Sequence, residues 1–506
     1  MHAPRLQIHD QFQLELKLDT PLDPTARRSR RTFEAWMFFP NSLGIDEPAF
    51  RREDFYEDLV AHVRFQTPKM SLARLFDDAD SPGGWLARHE RALTSGSASA
   101  RELGHALREI RLLAAVFRSN LRDETGYLLA HLRNGQRGVV AEHLEATTRF
   151  VGEARAALAR FRDLRRRFLD ARTPDGLREA LIAIDDFVSL QAVEAWFRLV
   201  EVLEDRPEAG AVRDGLLDAV RSETTHRVGV GHTGPLEVED PLRNELFVTR
   251  LNALKKYVLA VLHLRLVTSR RAERVQDLLF GIAAAVAMTL AVILQLAALW
   301  TVGTPSGWLD VGTMASFVAL MVGGYILKDR VKDRLRLWFA AGMPQWLYDR
   351  RQNLCVEATG VHIGAVEDTA QLVRTRELPP DVARVREHGE EPLFAGMRAE
   401  EDVVHFRRVV LVDGRRAKAQ APEMSALNEI LRFNVRRWIR RMDEPIRWLY
   451  RLQPDGRIER VPGGKTYRVT MVLAQREHPK ARPTYEKFTV VLTREGIVRV
   501  EPGGSF

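Results

Sequence analysis

The sequence predicts an α+β membrane protein: a cytoplasmic helical bundle or stalk, a two-helix transmembrane hairpin, and a β-rich antiparallel cytoplasmic C-terminal domain whose sheet the N-terminal strands, on the same side of the membrane, could share. Three observations predict it. Fifty residues, Leu278 to Leu327, carry a single charge at Asp310; the stretch before them repeats with helical period; both ends of the chain alternate with period two.

The N-terminus opens with Leu6, Ile8, Phe12, Leu14, Leu16 and Leu18 on one parity and Gln7, His9, Gln11, Gln13, Glu15 and Lys17 on the other. One apolar face at period two is a half-buried strand. A connection rich in Pro and Arg leads to a second strand over Thr32 to Phe39, and a helix is expected through Phe55, Leu59 and Val63. Residues 1–99 therefore read as an N-terminal α+β segment.

Residues 100–276 read as the helical bundle or stalk. Leu103, Leu107, Ile110, Ala114, Phe117 and Leu121 form one amphipathic stripe; Val151 to Phe161 and Leu177 to Val188 form two more. Thr173 before Pro174 suits an N-cap followed by a first-turn proline. A last helix from Pro241 is expected to run on into the first membrane arm.

That arm, Leu278 to Val302, holds 25 uncharged residues, and the second, Val311 to Leu327, holds 17. A spanning helix needs about 20 apolar residues. Residues 277–328 are thus a transmembrane hairpin closed by a Gly303-to-Gly307 turn, with Trp300 and Trp308 beside it. Arg265, Arg270, Arg271 and Arg274 precede the hairpin, and Lys328, Arg330, Lys332, Arg334 and Arg336 follow it, while its loop has neither Lys nor Arg. This asymmetry places both termini in the cytoplasm. Small residues recur every fourth position in each arm: Ala283, Ala287 and Ala291, then Ala315, Ala319 and Gly323. Such stripes let helices pack closely in lipid, within a hairpin or between copies.

Residues 329–506 read as a C-terminal α+β domain. Val331, Leu335, Trp338 and Phe339 line a basic helix, and strands follow over Val403 to Val412, Arg447 to Leu452, Tyr467 to Leu473, Tyr485 to Leu492 and Ile497 to Val500. A helix from Met424 to Met442 is expected among them. Its stripe of Leu427, Leu431, Val435, Trp438 and Met442 lies beside Arg432, Arg436, Arg437, Arg440 and Arg441, a candidate lipid or partner surface.

The chain is basic, with net charge +8, through 66 Arg and 10 Lys against 68 acidic residues. Charge alone points to no particular anion, and without an aromatic platform pattern nucleic acid is not an expected partner. The single cysteine, Cys355, excludes an internal disulfide and a Cys-rich metal site. His226, His232, Glu237, Glu239 and Asp240 cluster without metal-ligand spacing, and Asp185-Asp186, as helix neighbours, point different ways. No catalytic, cofactor-binding or metal residue is assigned. The layout is similar to that of two-transmembrane magnesium channels, but their Gly-Met-Asn signature is absent from the loop, which reads Thr301-Val302-Gly303-Thr304-Pro305. The expectation is a non-enzymatic scaffold or interaction module of a bacterial inner membrane. Its expected partners are the lipid bilayer, cytoplasmic proteins and a second copy of the chain. The alternatives are an oligomeric channel or pore built from the hairpin, and a membrane-tethered enzyme lacking a recognisable motif.

Overall fold

The computed structural model describes residues 5–45, 50–78, 81–95, 98–134, 137–169, 172–232, 239–269, 271–302, 311–342, 348–389 and 401–505. The fold mixes helices with antiparallel sheets. Strands β1 (Arg5–Asp10), β2 (Gln13–Pro21) and β3 (Ser29–Pro40) come first, then α1 (Arg52–Asp58) and β4 (Leu59–Phe65). Six helices follow: α2 (Pro82–Thr94), α3 (Ala100–Asn134), α4 (Arg137–Arg167), α5 (Asp175–Leu203), α6 (Gly210–Gly229) and α7 (Pro241–Leu259). Strand β5 (Leu264–Thr268) precedes the apolar helix α8 (Arg271–Val302) and its neighbour α9 (Val311–Gly342), whose second half is charged. Then come β6 (Arg350–Val356), β7 (His362–Val373), α10 (Pro380–Glu387), β8 (Glu401–Val412), α11 (Gly414–Gln420), β9 (Ala426–Asn434) and α12 (Arg436–Ile439). Strands β10 (Ile446–Leu452), β11 (Ile458–Gly464), β12 (Tyr467–Arg476), β13 (Thr484–Thr493) and β14 (Gly496–Ser505) complete the chain.

Eight strands form one sheet in the order β14-β13-β12-β3-β8-β7-β6-β5, four form another as β1-β2-β9-β4, and β10-β11 stand apart as a hairpin. Strand β3 lies between β12 and β8, so a segment from the N-terminus is the middle of a sheet made mostly by the C-terminal half. Its unbroken apolar run follows from burial on both faces. Phe33, Ala35, Met37 and Phe39 face a core shared with Leu14, Leu16, Leu431 and Phe433 of the smaller sheet. Trp36 and Phe38 point the other way, onto Val382 and Val385 of α10. The helical layer has its own large core, which reaches the sheets through Val63, Phe65, Leu354 and Val410.

Four expected elements are corrected. The single strand expected over Leu6 to Leu18 is an antiparallel hairpin, β1 and β2, reversing at Gln11–Phe12. The helix through Phe55 stops at Asp58, and Leu59, Val63 and Phe65 are inward residues of β4. The helix from Pro241 ends at Leu259, and the alternating Leu-Arg-Leu-Val-Thr segment pairs with β6 as β5 before the apolar helix begins. The expected helix from Met424 to Met442 is strand β9 followed by the single turn α12. Leu427 and Leu431 are four apart, a spacing that a helix face and a strand face share. Glu429, buried between them, hid the alternation.

That glutamate is part of a bolt between the sheets. Arg408 of β8 is fully buried and donates from Nε to Glu429 Oε2 at 2.9 Å and from Nη1 to Asp368 Oδ2 of β7 at 3.4 Å. Thr20 of β2 donates to Glu429 at 3.2 Å. Burial raises the pKa of both carboxyls despite the facing guanidinium. Removing the cation would leave two buried acids uncompensated. Arg408→Met is therefore expected to lower stability by about 3–5 kcal/mol, read as a lower denaturation midpoint. Adding Asp368→Asn and Glu429→Gln should recover much of that loss.

Candidate functional site: the apolar helix pair and the charged clusters

Helix α8 inverts the usual pattern of a water-soluble helix. Its buried face is Ala283, Ala287 and Ala291, while Leu278, Ile282, Val286, Met288, Ile293 and Leu296 are 44–64% exposed. Small residues inside and large apolar residues outside suit close packing in a hydrocarbon solvent, where large apolar groups carry no penalty at the surface. Among the described residues, Leu278–Ala297 is the one helix long and apolar enough to cross a membrane. Helix α9 packs along α8, and a Cβ added at Gly324 would lie 3.8 Å from Leu294 Cβ. The expected second stripe behaves differently from the first: Ala315, Ala319 and Gly323 are exposed, since α9 meets α8 through Gly324 on another face. Trp300 is 89% exposed. The connecting residues 303–310, with Trp308 and Asp310, and also Arg270 and Glu237, lie outside the described residues. So do the side chains of Arg271, Arg274, Arg336, Trp338 and Phe339.

The pair is fastened to the body just after α9. Asp349 accepts hydrogen bonds from Tyr56 Oη at 2.9 Å, the Ala370 amide at 2.7 Å and Arg52 at 3.3 Å. Burial, then the charges of Asp349 and Asp368, push the Tyr56 phenol well above its usual range, so it stays a proton donor.

The five arginines expected on one helix face are dispersed. Arg432, on β9, pairs with Glu15 at 2.8 Å. Arg437 is held by Asp54, Glu57 and Asp58 at 2.6–2.9 Å. Arg436 lies over the Phe12 ring at 4.6 Å, and Arg441 donates to the Gly44 carbonyl at 3.3 Å. Arg437, Arg440 and Arg441 rim a cavity of about 230 Å³ floored by Met37, Phe39 and Phe433. A broader groove of about 500 Å³ between α3, α5 and α7 is lined by Arg118, Arg122, Arg198 and Lys255 with Glu194 among them. Burial, then the Arg118 charge, lowers the Lys255 pKa.

The helical layer is locked by two adjacent carboxylates. Asp185 and Asp186 on α5 are both fully buried and do point apart. Asp185 meets Arg162 and Arg165 of α4 at 3.2 and 3.0 Å, His226 Nε2 of α6 at 3.1 Å and His232 Nε2 at 3.3 Å. Asp186 accepts from Arg227 at 2.8 Å and from Arg250 of α7 at 2.7 Å. The loop cluster noted in the sequence thus divides. His226 and His232 turn inward to Asp185, whereas Asp240 caps α7 by accepting from the Arg243 amide. Among the described residues no group of three or more His, Cys, Asp or Glu is arranged to hold a metal ion. Nothing in the sequence around Asp185 signalled these partners, which lie 20–47 positions away. Cys355 is half-buried in β6.

Burial works against the Asp185 anion, but hydrogen bonds from His232 and His226 and the Arg162 and Arg165 charges outweigh it and hold its pKa well below the ordinary range. A depressed carboxyl pKa adds stability that is complete above the unfolded value of about 4 and is lost as pH falls through the folded value. In urea titrations below about pH 4, Asp185→Asn should flatten the acid-side loss of stability. An unchanged slope would remove Asp185 from that role.

No protein-family model, curated protein or solved structure matches this chain.

Proposed function

We propose that the chain is an integral protein of a bacterial inner membrane, anchored by α8 and α9 as a transmembrane hairpin. Its strands and helical layer form a cytoplasmic scaffold or interaction module. The observation that carries this reading is the inverted surface of α8, alanine within and Leu, Ile, Val and Met without. A helix of that surface in water would expose an apolar patch far larger than soluble proteins carry. The basic residues flanking the pair and their absence from its connecting loop support the cytoplasmic orientation. The elements before and after the pair are hydrogen-bonded into one sheet, so they share one side of the bilayer.

Ile293, 56% exposed at the middle of the apolar stretch, gives the direct test. Ile293→Arg places a cation near mid-membrane at a cost of about 2.5–3.5 kcal/mol. Wild-type chain is expected to stay with membranes through alkaline carbonate extraction, and the variant to be partly released or degraded. Wild-type chain found wholly in the supernatant would end the reading.

A second reading, a homo-oligomer that could enclose a pore, is favoured by the exposed face Ala315, Ala319 and Gly323, which the pair itself leaves open. Small residues four apart on a lipid-facing helix allow a second helix to approach closely. If copies associate there, Ala319→Phe should lower the mass of the detergent-solubilised particle to that of one chain. A wild-type particle that already has the mass of one chain would dismiss this reading.

A further inference from the structure

The β10–β11 hairpin is the most conspicuous element that the anchor does not account for. All seven residues of β10 are exposed. The register Ile446↔Gly464, Trp448↔Pro462, Tyr450↔Arg460 and Leu452↔Ile458 puts these residues on one face. On it Ile446, Trp448, Tyr450, Leu452 and Ile458 are 49–73% exposed. The opposite face carries Arg447, Leu449 and Arg451 against Gly463, Val461 and Glu459. The tip is locally well made: Gly456 sits at φ 81°, its amide bonded to the Gln453 carbonyl, so the Pro-Asp-Gly turn holds the strands in register. Even so, a two-stranded hairpin alone in water is marginal, and among the described residues Trp448 and Tyr450 of this one stay exposed.

Charge and position indicate the occupant. Between Ile446 and Lys465 four arginines and one lysine stand against Asp455 and Glu459. Arg460 lies 5.7 Å from the Tyr450 ring centre, a guanidinium held over an aromatic face. Trp and Tyr beside basic residues are the side chains that favour the headgroup region of a bilayer, and the cations are drawn to anionic lipid. Position agrees. Helices α8 and α9 leave the eight-stranded sheet where Thr268 of β5 faces Gln352 of β6. Followed strand by strand, that end is the last residue of β7, the first of β8, the last of β3 and the first of β12. The hairpin joins β12 at that first residue, Tyr467. The apolar pair and the hairpin therefore leave the sheet at the same end.

We infer that the hairpin seats its Ile446-Trp448-Tyr450-Leu452-Ile458 face on the anionic headgroup surface of the membrane that α8 enters. The inference rests on the membrane reading above. It gives the body a second point of contact with the bilayer and so fixes how the sheet is presented to it. Seating would bury the exposed rings and place Arg460, on the same face, within reach of lipid phosphates.

The test uses the full chain with Cys355→Ser, carrying a single new thiol at either Tyr450→Cys or Leu296→Cys, labelled with an environment-sensitive fluorophore. Each is reconstituted into vesicles of phosphatidylcholine alone or mixed with phosphatidylglycerol, with nitroxide-labelled lipid as quencher. The label at position 450 is expected to shift to the blue and lose emission to headgroup-region nitroxides in the anionic vesicles, less so in neutral ones, with the effect weakened by salt. The label at position 296 should be quenched by nitroxides deep in the chains in both. Quenching at 296 without quenching at 450 overturns the hairpin proposal and leaves the anchor intact; absence of quenching at 296 overturns the anchor itself. A blue shift at 450 that needs no lipid and grows with protein concentration in detergent assigns the face to a second copy, and likewise overturns the proposal. As a check that does not rely on labels, Trp448→Ser with Leu452→Ser should leave the thermal unfolding of the body unchanged, because β10 is exposed, while reducing retention on anionic vesicles.

Discussion

The pairing of β3 with β8 on one side and β12 on the other is the constraint on which the remaining architecture depends. It joins residues near 30–40 to residues beyond 400 through two continuous antiparallel ladders, with apolar side chains covered on both faces. Once those ladders form, everything between them is an insertion that must begin and end on the same body. The helical layer runs from β4 of the smaller sheet to β5 of the larger, and β5 and β6, side by side at the edge of the larger sheet, deliver α8 and receive the chain after α9.

Polar groups inside the body are used to fix geometry. Arg408 ties β8 to β7 and, across the core, to β9, while Asp185 and Asp186 tie three helices, α4, α6 and α7, to α5. Both clusters are buried, so their charges interact in a poorly screened environment and tolerate little misplacement. Asp349 makes a third such junction, catching the chain as it re-enters the body from α9. Rigidity at these points suits a body that must hold the α8–α9 pair and an exposed hairpin in a set relation.

Some of this was legible residue by residue. The run from Leu278 to Val302 announces an apolar helix by composition alone, and the alternation from Leu6 to Leu18 announces strand structure but not the reversal at Gln11–Phe12 that splits it into β1 and β2. The failures have specific causes. Leu427 and Leu431 satisfy both periods, and the compensating partner of Glu429 sits on another strand, so the sequence of β9 reads as a helix. Leu59 and Val63 misled in the same way at β4. His226 and His232 read as a loop cluster because their partner, Asp185, is brought to them only by the packing of α5 against α6.

By itself the sequence determined the parts: an uncharged span with basic flanks, amphipathic helices, and strands at both ends. Those properties reside in local composition and period, which solvation reads directly. Only the tertiary structure decided which face of each part is covered. It placed Ala283, Ala287 and Ala291 inside and left Ala315, Ala319 and Gly323 outside, gave Arg432, Arg436, Arg437 and Arg441 separate partners, and left the aromatic face of β10 and β11 open. Such choices depend on contacts between residues far apart in the chain, and no local pattern encodes them.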